Sequence, residues 1–219
     1  MTPTAAHATL AAVFDTTIRD RFDAIAPHIV PGTAVLDLGC VDARPARRSG
    51  HTSAHAPDLL FRRLVEVNPD AVGVDHDAEG VAALQSAGYH AVCANVQTLD
   101  LGWQFDTIVA GELIEHLDNP GLFLTAVRRH LKPGGKLILT TPNPFYALQA
   151  WHIWRRGRPR CNEGHVVWFD PVTLTRLLRR CGFEPVEGYW IQPQRRWLKA
   201  WKRLFRRYFS HSFLIVATV

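Results

Sequence analysis

Two carboxylates and an imidazole fall within five residues in Gly111-Glu112-Leu113-Ile114-Glu115-His116. Residues three apart share one side of a helical turn, so Glu112 and Glu115 are expected side by side with His116 adjacent. Such donors could hold Mg²⁺ or Mn²⁺, or take a proton from a substrate hydroxyl as a general base. His165, in Gly164-His165-Val166-Val167-Trp168-Phe169, could complete the group from across a pocket. The alternative is structural, with Glu112 touching a ligand, Glu115 capping or pairing, and His116 packing.

A second set of residues follows three short apolar runs. Asp37-Leu38-Gly39-Cys40 offers a glycine that lets backbone approach a ligand, and a carboxylate that can accept from an amine or water. Asp75, in Gly73-Val74-Asp75, could take both hydroxyls of a ribose, and the amide of Asn95, in Ala94-Asn95-Val96, could face an adenine edge. Strand ends and helix caps would use Asp37 and Asp75 equally well. A nicotinamide dinucleotide site expects G-x-G-x-x-G, with glycines that admit a pyrophosphate. Here the turn reads Gly39-Cys40-Val41-Asp42, with one glycine and an extra carboxylate, which disfavours a diphosphate.

These residues need a scaffold, and its periodicity is legible. Apolar runs at 34–38, 71–74, 90–93, 107–110 and 136–140 read as buried parallel strands, with helical patterns at 57–67, 78–87 and 121–131 between them. A helix at 171–180 and strand-like runs at 184–190 and 213–219 complete the series. The alternation predicts an α/β fold: one Rossmann-like, doubly wound, seven-stranded sheet, mostly parallel with the last strand antiparallel. In such sheets ligands sit beyond the carboxyl ends of the strands, where the residues above fall. We expect residues 1–219 to form a single domain. Residues 1–30 would make an N-terminal helical cap, and 145–169 a lid carrying Trp151, Trp154 and Trp168 with four arginines. A basic amphipathic helix is expected at 194–209, between the last two strands.

Composition bounds the class. A 219-residue chain with 47% hydrophobic residues and no internal repeat is neither disordered nor fibrous. Cysteines at 40, 93, 161 and 181 lack C-x-x-C spacing, so a zinc ribbon or disulfide framework is not indicated, and a reducing cytoplasm is expected. Neither a signal peptide nor a membrane span is expected. Charge is divided: residues 1–150 hold 11 Lys+Arg against 16 Asp+Glu, and residues 151–219 hold 14 against 4. The basic third suits an anionic partner. In 194–209, Trp197, Trp201, Leu204, Phe205 and Tyr208 oppose the cations, which points to packing or to peripheral contact with an anionic membrane ahead of nucleic acid.

VLDLGC (35–40), GVDHD (73–77), CANVQTL (93–99), FDTIVAGELIEHL (105–117), LKPGGKLILTTPN (131–143) and RCGFEPVEGYW (180–190) resemble, in order and spacing, the motifs of class I S-adenosylmethionine-dependent methyltransferases. The resemblance covers about residues 30–190. It implies that Asp37, Gly39 and Cys40 line the methionine end of S-adenosyl-L-methionine, that Asp75 with His76 beside it binds the ribose, and that Asn95 and Val96 meet the adenine. Gly111 and Glu112 would close the cofactor pocket. The family usually continues its first motif with further glycines, where this chain has Val41-Asp42-Ala43 and a polar loop with His51 and His55.

The E-x-x-E-H run is similar to that of quinone-biosynthesis O-methyltransferases and small-RNA 2′-O-methyltransferases, where it binds a divalent metal near the accepting oxygen. This implies catalytic roles for His116, His165 and Glu115 and a metal set of Glu112, Glu115, His116 and His165, with a small-molecule, sugar, glycan or lipid-linked acceptor. RNA ribose methylation and cofactor binding without catalysis are the alternatives. Asn143-Pro144-Phe145 resembles part of the amino-directed DNA methyltransferase motif, but it follows the fifth strand instead of the fourth, which argues against base methylation.

Overall fold

A computed structural model describes residues 14–41, 59–192 and 206–219. Eight strands form one sheet: β1 (Thr16–Ile18), β2 (Val35–Leu38), β3 (Val72–Asp75), β4 (Ala91–Cys93), β5 (Phe105–Gly111), β6 (Leu131–Pro142), β7 (Glu184–Ile191) and β8 (Ser212–Thr218). Their order across the sheet is β1-β7-β8-β6-β5-β2-β3-β4. Only β8 runs antiparallel to its neighbours, β6 and β7. The expected sheet is therefore present with one strand more than expected. Thr16–Ile18 extends the edge by pairing in parallel with β7, so the segment expected as a helical cap carries a strand. The physical reason is the short Thr-Thr-Ile run, β-branched throughout, which favours extended backbone.

The helices are α1 (Phe22–Ile25), α2 (Leu60–Val67), α3 (Ala78–Ser86), α4 (Pro120–Arg129), α5 (Ala147–Arg156), α6 (Pro171–Arg180) and a last turn, α7 (Arg206–Phe209). Their starts are written in cap chemistry. Asp77 accepts from the N–H groups of Glu79 and Gly80, Asn119 accepts from that of Leu122, and Asp170 and Thr173 form a reciprocal capping box ahead of α6. Pro120 and Pro171 occupy first-turn positions where no N–H is needed. Leu131 starts β6, opposite Phe105, instead of ending α4 as its spacing suggested.

Alternation along the strands divides the core into two layers. Leu36, Leu38, Ile108, Ala110, Leu137 and Leu139 face a cluster with Phe123, Val127, Leu174 and Leu178 from α4 and α6. Val35, Val109 and Ile138 face the opposite cluster, with Ile25, Phe61, Leu64, Val81 and Leu84. Period-two burial on both faces is the signature of a sheet covered twice. Most of the expected 194–209 helix lies outside the described residues.

The order also fixes where a ligand can sit. From β2 the chain steps outward to β3 and β4, then crosses back to β5 on the other side of β2. The two series diverge between β2 and β5, whose registered ends are Leu38 and Ala110. A crevice opens beyond those carboxyl ends, at the topological switch point.

Candidate active site

A cleft of about 1260 Å³ occupies this crevice. That exceeds the roughly 300–1,000 Å³ of a site for one small ligand, leaving room for two molecules to meet. Asp37, Gly39, Cys40, Asp75, His76, Gly111, Glu112, His116 and His165 all line it. Glu115, Asn95 and Val96 do not: Glu115 is 1% exposed behind the wall, and the Asn95 side chain accepts from the Gln97 N–H in its own turn.

Asp37 is the most unusual group. It is 1% exposed, and neither carboxylate oxygen has a hydrogen-bond partner among the described residues. Burial pushes its carboxyl up to about 8; the Arg21 charge opposes the shift and that of Asp75 adds to it. An unsatisfied buried carboxyl is costly, and a cationic ligand would relieve it. Beside it, Gly39 adopts φ 80°, and a Cβ there would approach Leu113 Cδ1 to 3.2 Å. The Gly39 N–H donates to the Val74 carbonyl at 2.8 Å, turning the chain across β3.

Asp75 is fixed by three donors. The Val41 and Asp77 N–H groups each reach one of its oxygens at 3.0 Å, and His76 Nδ1 lies 3.2 Å from Oδ1. Oδ2, which accepts from the Val41 N–H alone among the described residues, retains lone-pair capacity toward a ligand hydroxyl. Cys40 is buried, and burial pushes its thiol well above the usual range, so it packs as an apolar wall and not as a nucleophile.

The carboxylate–imidazole cluster departs from the expected helical turn. Glu112 has φ 56°, an uncommon left-handed conformation for a non-glycine residue, held by its N–H donating to Thr140 O and Oγ1. The following 3₁₀ turn, Ile114–His116, does not include Glu112, whose left-handed backbone breaks the helical path between the two carboxylates: Glu112 lines the cleft and Glu115 turns inward. Glu115 Oε2 accepts from Thr141 Oγ1 at 3.0 Å, while Oε1 has no partner among the described residues. Burial, followed by the charge of Glu112, pushes the Glu115 carboxyl up to about 8.

His165 is brought in by a backbone clamp. The Val166 and Val167 N–H groups donate to the Glu115 carbonyl at 3.0 and 3.3 Å, pinning the return segment against the 3₁₀ turn. His116 Nδ1 lies 2.9 Å from the Gly164 carbonyl, so that nitrogen must carry the proton and Nε2 is the basic atom. The two imidazoles meet edge to face with centroids 4.5 Å apart. One ligand atom each from Glu115, His116 and His165 fit within 4.8 Å of one another.

Among the cleft residues that were not expected, Arg21 and His211 carry charge or a titratable ring. Arg21 reaches in just ahead of α1: a Cβ on Gly111 would lie 3.0 Å from its Nη1, and its charge acts on Asp37, Glu115 and His211. No spacing in the sequence flags an arginine that arrives from outside the strand-end motifs. His211 lines the opposite wall, its imidazole held below its usual pKa by burial and then by Arg21. It precedes β8, which is antiparallel, so the start of that strand lies at the ligand end of the sheet. The antiparallel direction expected of the last strand is the signal that places its start there.

The family described as Methyltransferase domain matches residues 11–187. The chain belongs to the class I S-adenosylmethionine-dependent methyltransferases. Among similar proteins, the ubiquinone biosynthesis O-methyltransferase of Dinoroseobacter shibae is 28% identical over 177 residues, which cover 75% of this chain and 65% of that relative. This methyltransferase therefore spans a little under two thirds of the relative's length. A SAM-dependent methyltransferase from Archaeoglobus fulgidus superposes with a TM-score of 0.63 at 14% identity, covering 98% and 95% of the two chains. Magnesium protoporphyrin IX methyltransferase from Synechocystis, crystallised with S-adenosylhomocysteine, gives a TM-score of 0.61 at 13% identity, covering 97% and 81%. At these identities the superpositions establish the shared fold.

Proposed function

We propose that this methyltransferase moves the methyl group of S-adenosylmethionine to a hydroxyl oxygen of a small-molecule acceptor. The observation that carries the donor assignment is Asp37: a fully buried, unpartnered carboxyl at the switch point suits the ammonium of an amino-acid cofactor. Asp75 would take the ribose hydroxyls, Gly39, Cys40 and Gly111 the close-packed wall, and His76 and Glu112 the flanks. Asn95 and Val96 would serve the adenine from beyond the cleft lining. S-adenosylmethionine supplies an electrophilic methyl on a sulfonium sulfur.

The chain's own residues would orient the acceptor and take its proton. His116 Nε2 is the proposed base, its tautomer set by the Gly164 carbonyl, with the edge of His165 against it. Glu115, protonated in the ligand-free site, lies behind them and, only on giving up its own proton, would steady the imidazolium that forms. Most of the acceleration would come from alignment and exclusion of water. The similarity to ubiquinone O-methyltransferases supports oxygen as acceptor atom and a small molecule over an RNA ribose.

A second reading is favoured by the three ligand atoms of Glu115, His116 and His165 within 4.8 Å. The unpartnered Glu115 Oε1 and the two imidazoles fit a divalent cation, and the mixed nitrogen and oxygen set suits Mn²⁺ better than Mg²⁺. Such an ion would act as a Lewis acid on the acceptor oxygen. Glu112, outside this trio, would remain on the cofactor side.

The test is product analysis with methyl-labelled S-adenosylmethionine and a panel of phenols, alcohols and amines, with and without Mn²⁺. O-methylated product is expected, and its rate should fall by about 10²- to 10⁴-fold in His116→Gln, the usual contribution of a general base. Methyl on nitrogen or carbon alone would overturn the oxygen assignment.

A further inference from the structure

Helix α5 and the irregular return after it form an arm that leaves the domain after β6 and comes back to the cleft. Its outgoing root is rigid: buried Asn143 donates through Nδ2 to the Ser210 carbonyl and accepts from the Phe145 N–H. Its returning root is the cleft itself, through Asn162, which lines it, and Gly164, which holds His116. The arm is closed on itself by Gln149, whose side-chain amide donates to the Arg160 carbonyl at 2.7 Å and accepts from the Arg160 N–H at 2.9 Å. Gly157, at φ 69°, ends the helix in between.

None of the ten residues of α5 is buried. That is unusual for a helix with this composition, because a ten-residue helix draws its stability from an apolar face packed on something else. Instead Ala147, Trp151 and Trp154 fall at i, i+4 and i+7, forming one stripe flanked by Leu148. Trp154 is 83% exposed and Trp151 48%, and Phe145 at the root is 59% exposed. Around this stripe stand Arg155, Arg156, Arg158 and Arg160 against a single acid, Glu163. No helix among the described residues is long and apolar enough to cross a membrane.

We propose that α5 docks this protein on an anionic lipid bilayer, with Trp151 and Trp154 seated at the headgroup level and the arginines on lipid phosphates. Tryptophan is the side chain best suited to an interface that is apolar on one side and wet on the other, and arginine grips phosphate through paired N–H donors. The surrounding charge is complementary to phosphatidylglycerol-type headgroups and not to a zwitterionic surface. Because the returning root of the arm lines the cleft through Asn162 and His165, docking would bring the site to the membrane. The acceptor class that follows is an amphiphile: an apolar body held in the bilayer and a hydroxyl-bearing polar head that reaches His116 and His165. This substrate class rests on the methyl-transfer reading above, whereas the docking surface does not.

The experiment is flotation of the full chain with vesicles of phosphatidylcholine alone and of phosphatidylcholine with phosphatidylglycerol, repeated with a structured RNA as competitor. The Trp151→Ser/Trp154→Ser double variant is compared in parallel. Thermal shift with S-adenosylhomocysteine, run on both proteins, reports the fold and the cofactor site separately. The expected result is binding to the anionic vesicles only, weakened by salt, unaffected by RNA, and reduced about tenfold or more in the double variant, whose thermal shift is retained. Absence of binding to anionic vesicles, equal binding by the double variant, or displacement by RNA would each overturn the proposal. Vesicle binding without any thermal shift would leave the docking surface standing and remove the methyl-transfer reading instead.

Discussion

The proposed chemistry rests on a few side chains kept in states that water would not leave them in. Asp37 and Glu115 are buried carboxyls with raised pKa values, and Glu112 sits in a backbone conformation that costs about 1–3 kcal/mol for a non-glycine residue. Strain kept at a site is evidence of use when relieving it harms function. Glu112→Gly removes the unfavourable Cβ along with the carboxylate, so the melting temperature should rise or hold while turnover falls by about tenfold or more. A variant that is destabilised, with turnover intact, would show that Glu112 serves packing alone. The first-strand aspartate and the E-x-x-E-H run were legible in the sequence because they stand at or just beyond the carboxyl end of a strand. Arg21 was not, since it enters the cleft from a segment ahead of the first motif, and His211 belongs to no motif, although the expected antiparallel last strand puts its start at that end.

At the level of elements, periodicity located nearly every strand and helix, because both faces of the sheet are covered and each strand therefore reads as a continuous apolar run. The readings that failed did so for local reasons. Thr16–Ile18 is only three residues long, too short for any alternation to show, and Glu112 precedes the 3₁₀ turn with φ 56°, which breaks the helical path that would have set it beside Glu115. What organises the acceptor side is the contact between that turn and the return segment at 164–167. Gly164 is its tightest point: a Cβ there would come within 2.9 Å of His116 Nδ1. Gly164→Ala must push the imidazole away from the carbonyl that sets its tautomer. Turnover should fall by about 10- to 100-fold, a misplacement effect, while the affinity for S-adenosylhomocysteine stays within about twofold. An equal loss of both would mean that the segment supports the whole cleft and not the base in particular.

For the whole molecule, the buried carboxyls tie stability to pH with a definite sign. Asp37 and Glu115 ionise near 3.8 and 4.5 in ordinary surroundings but at about 8 when folded. The folded chain thus keeps protons that the unfolded chain has lost, and stability falls as pH rises from about 4 to about 8. His28 and His211, whose folded pKa values are lowered, act oppositely, but only below about 6.5. Between pH 6.5 and 8 the ligand-free protein should therefore lose melting temperature steadily in urea or thermal scans, and a flat or rising profile would contradict the buried, protonated state of these groups. The same proton links the fold to the ligand. Calorimetry of S-adenosylhomocysteine at pH 7, in two buffers of different ionisation enthalpy, measures it directly. If Asp37 receives the cofactor ammonium as a carboxylate, binding releases close to one proton, and Asp37→Asn loses that release together with about 10- to 100-fold in affinity, the range for a charged hydrogen bond. No binding by the folded protein, or unchanged proton release and affinity in Asp37→Asn, would contradict the placement of the cofactor at the switch point of the sheet.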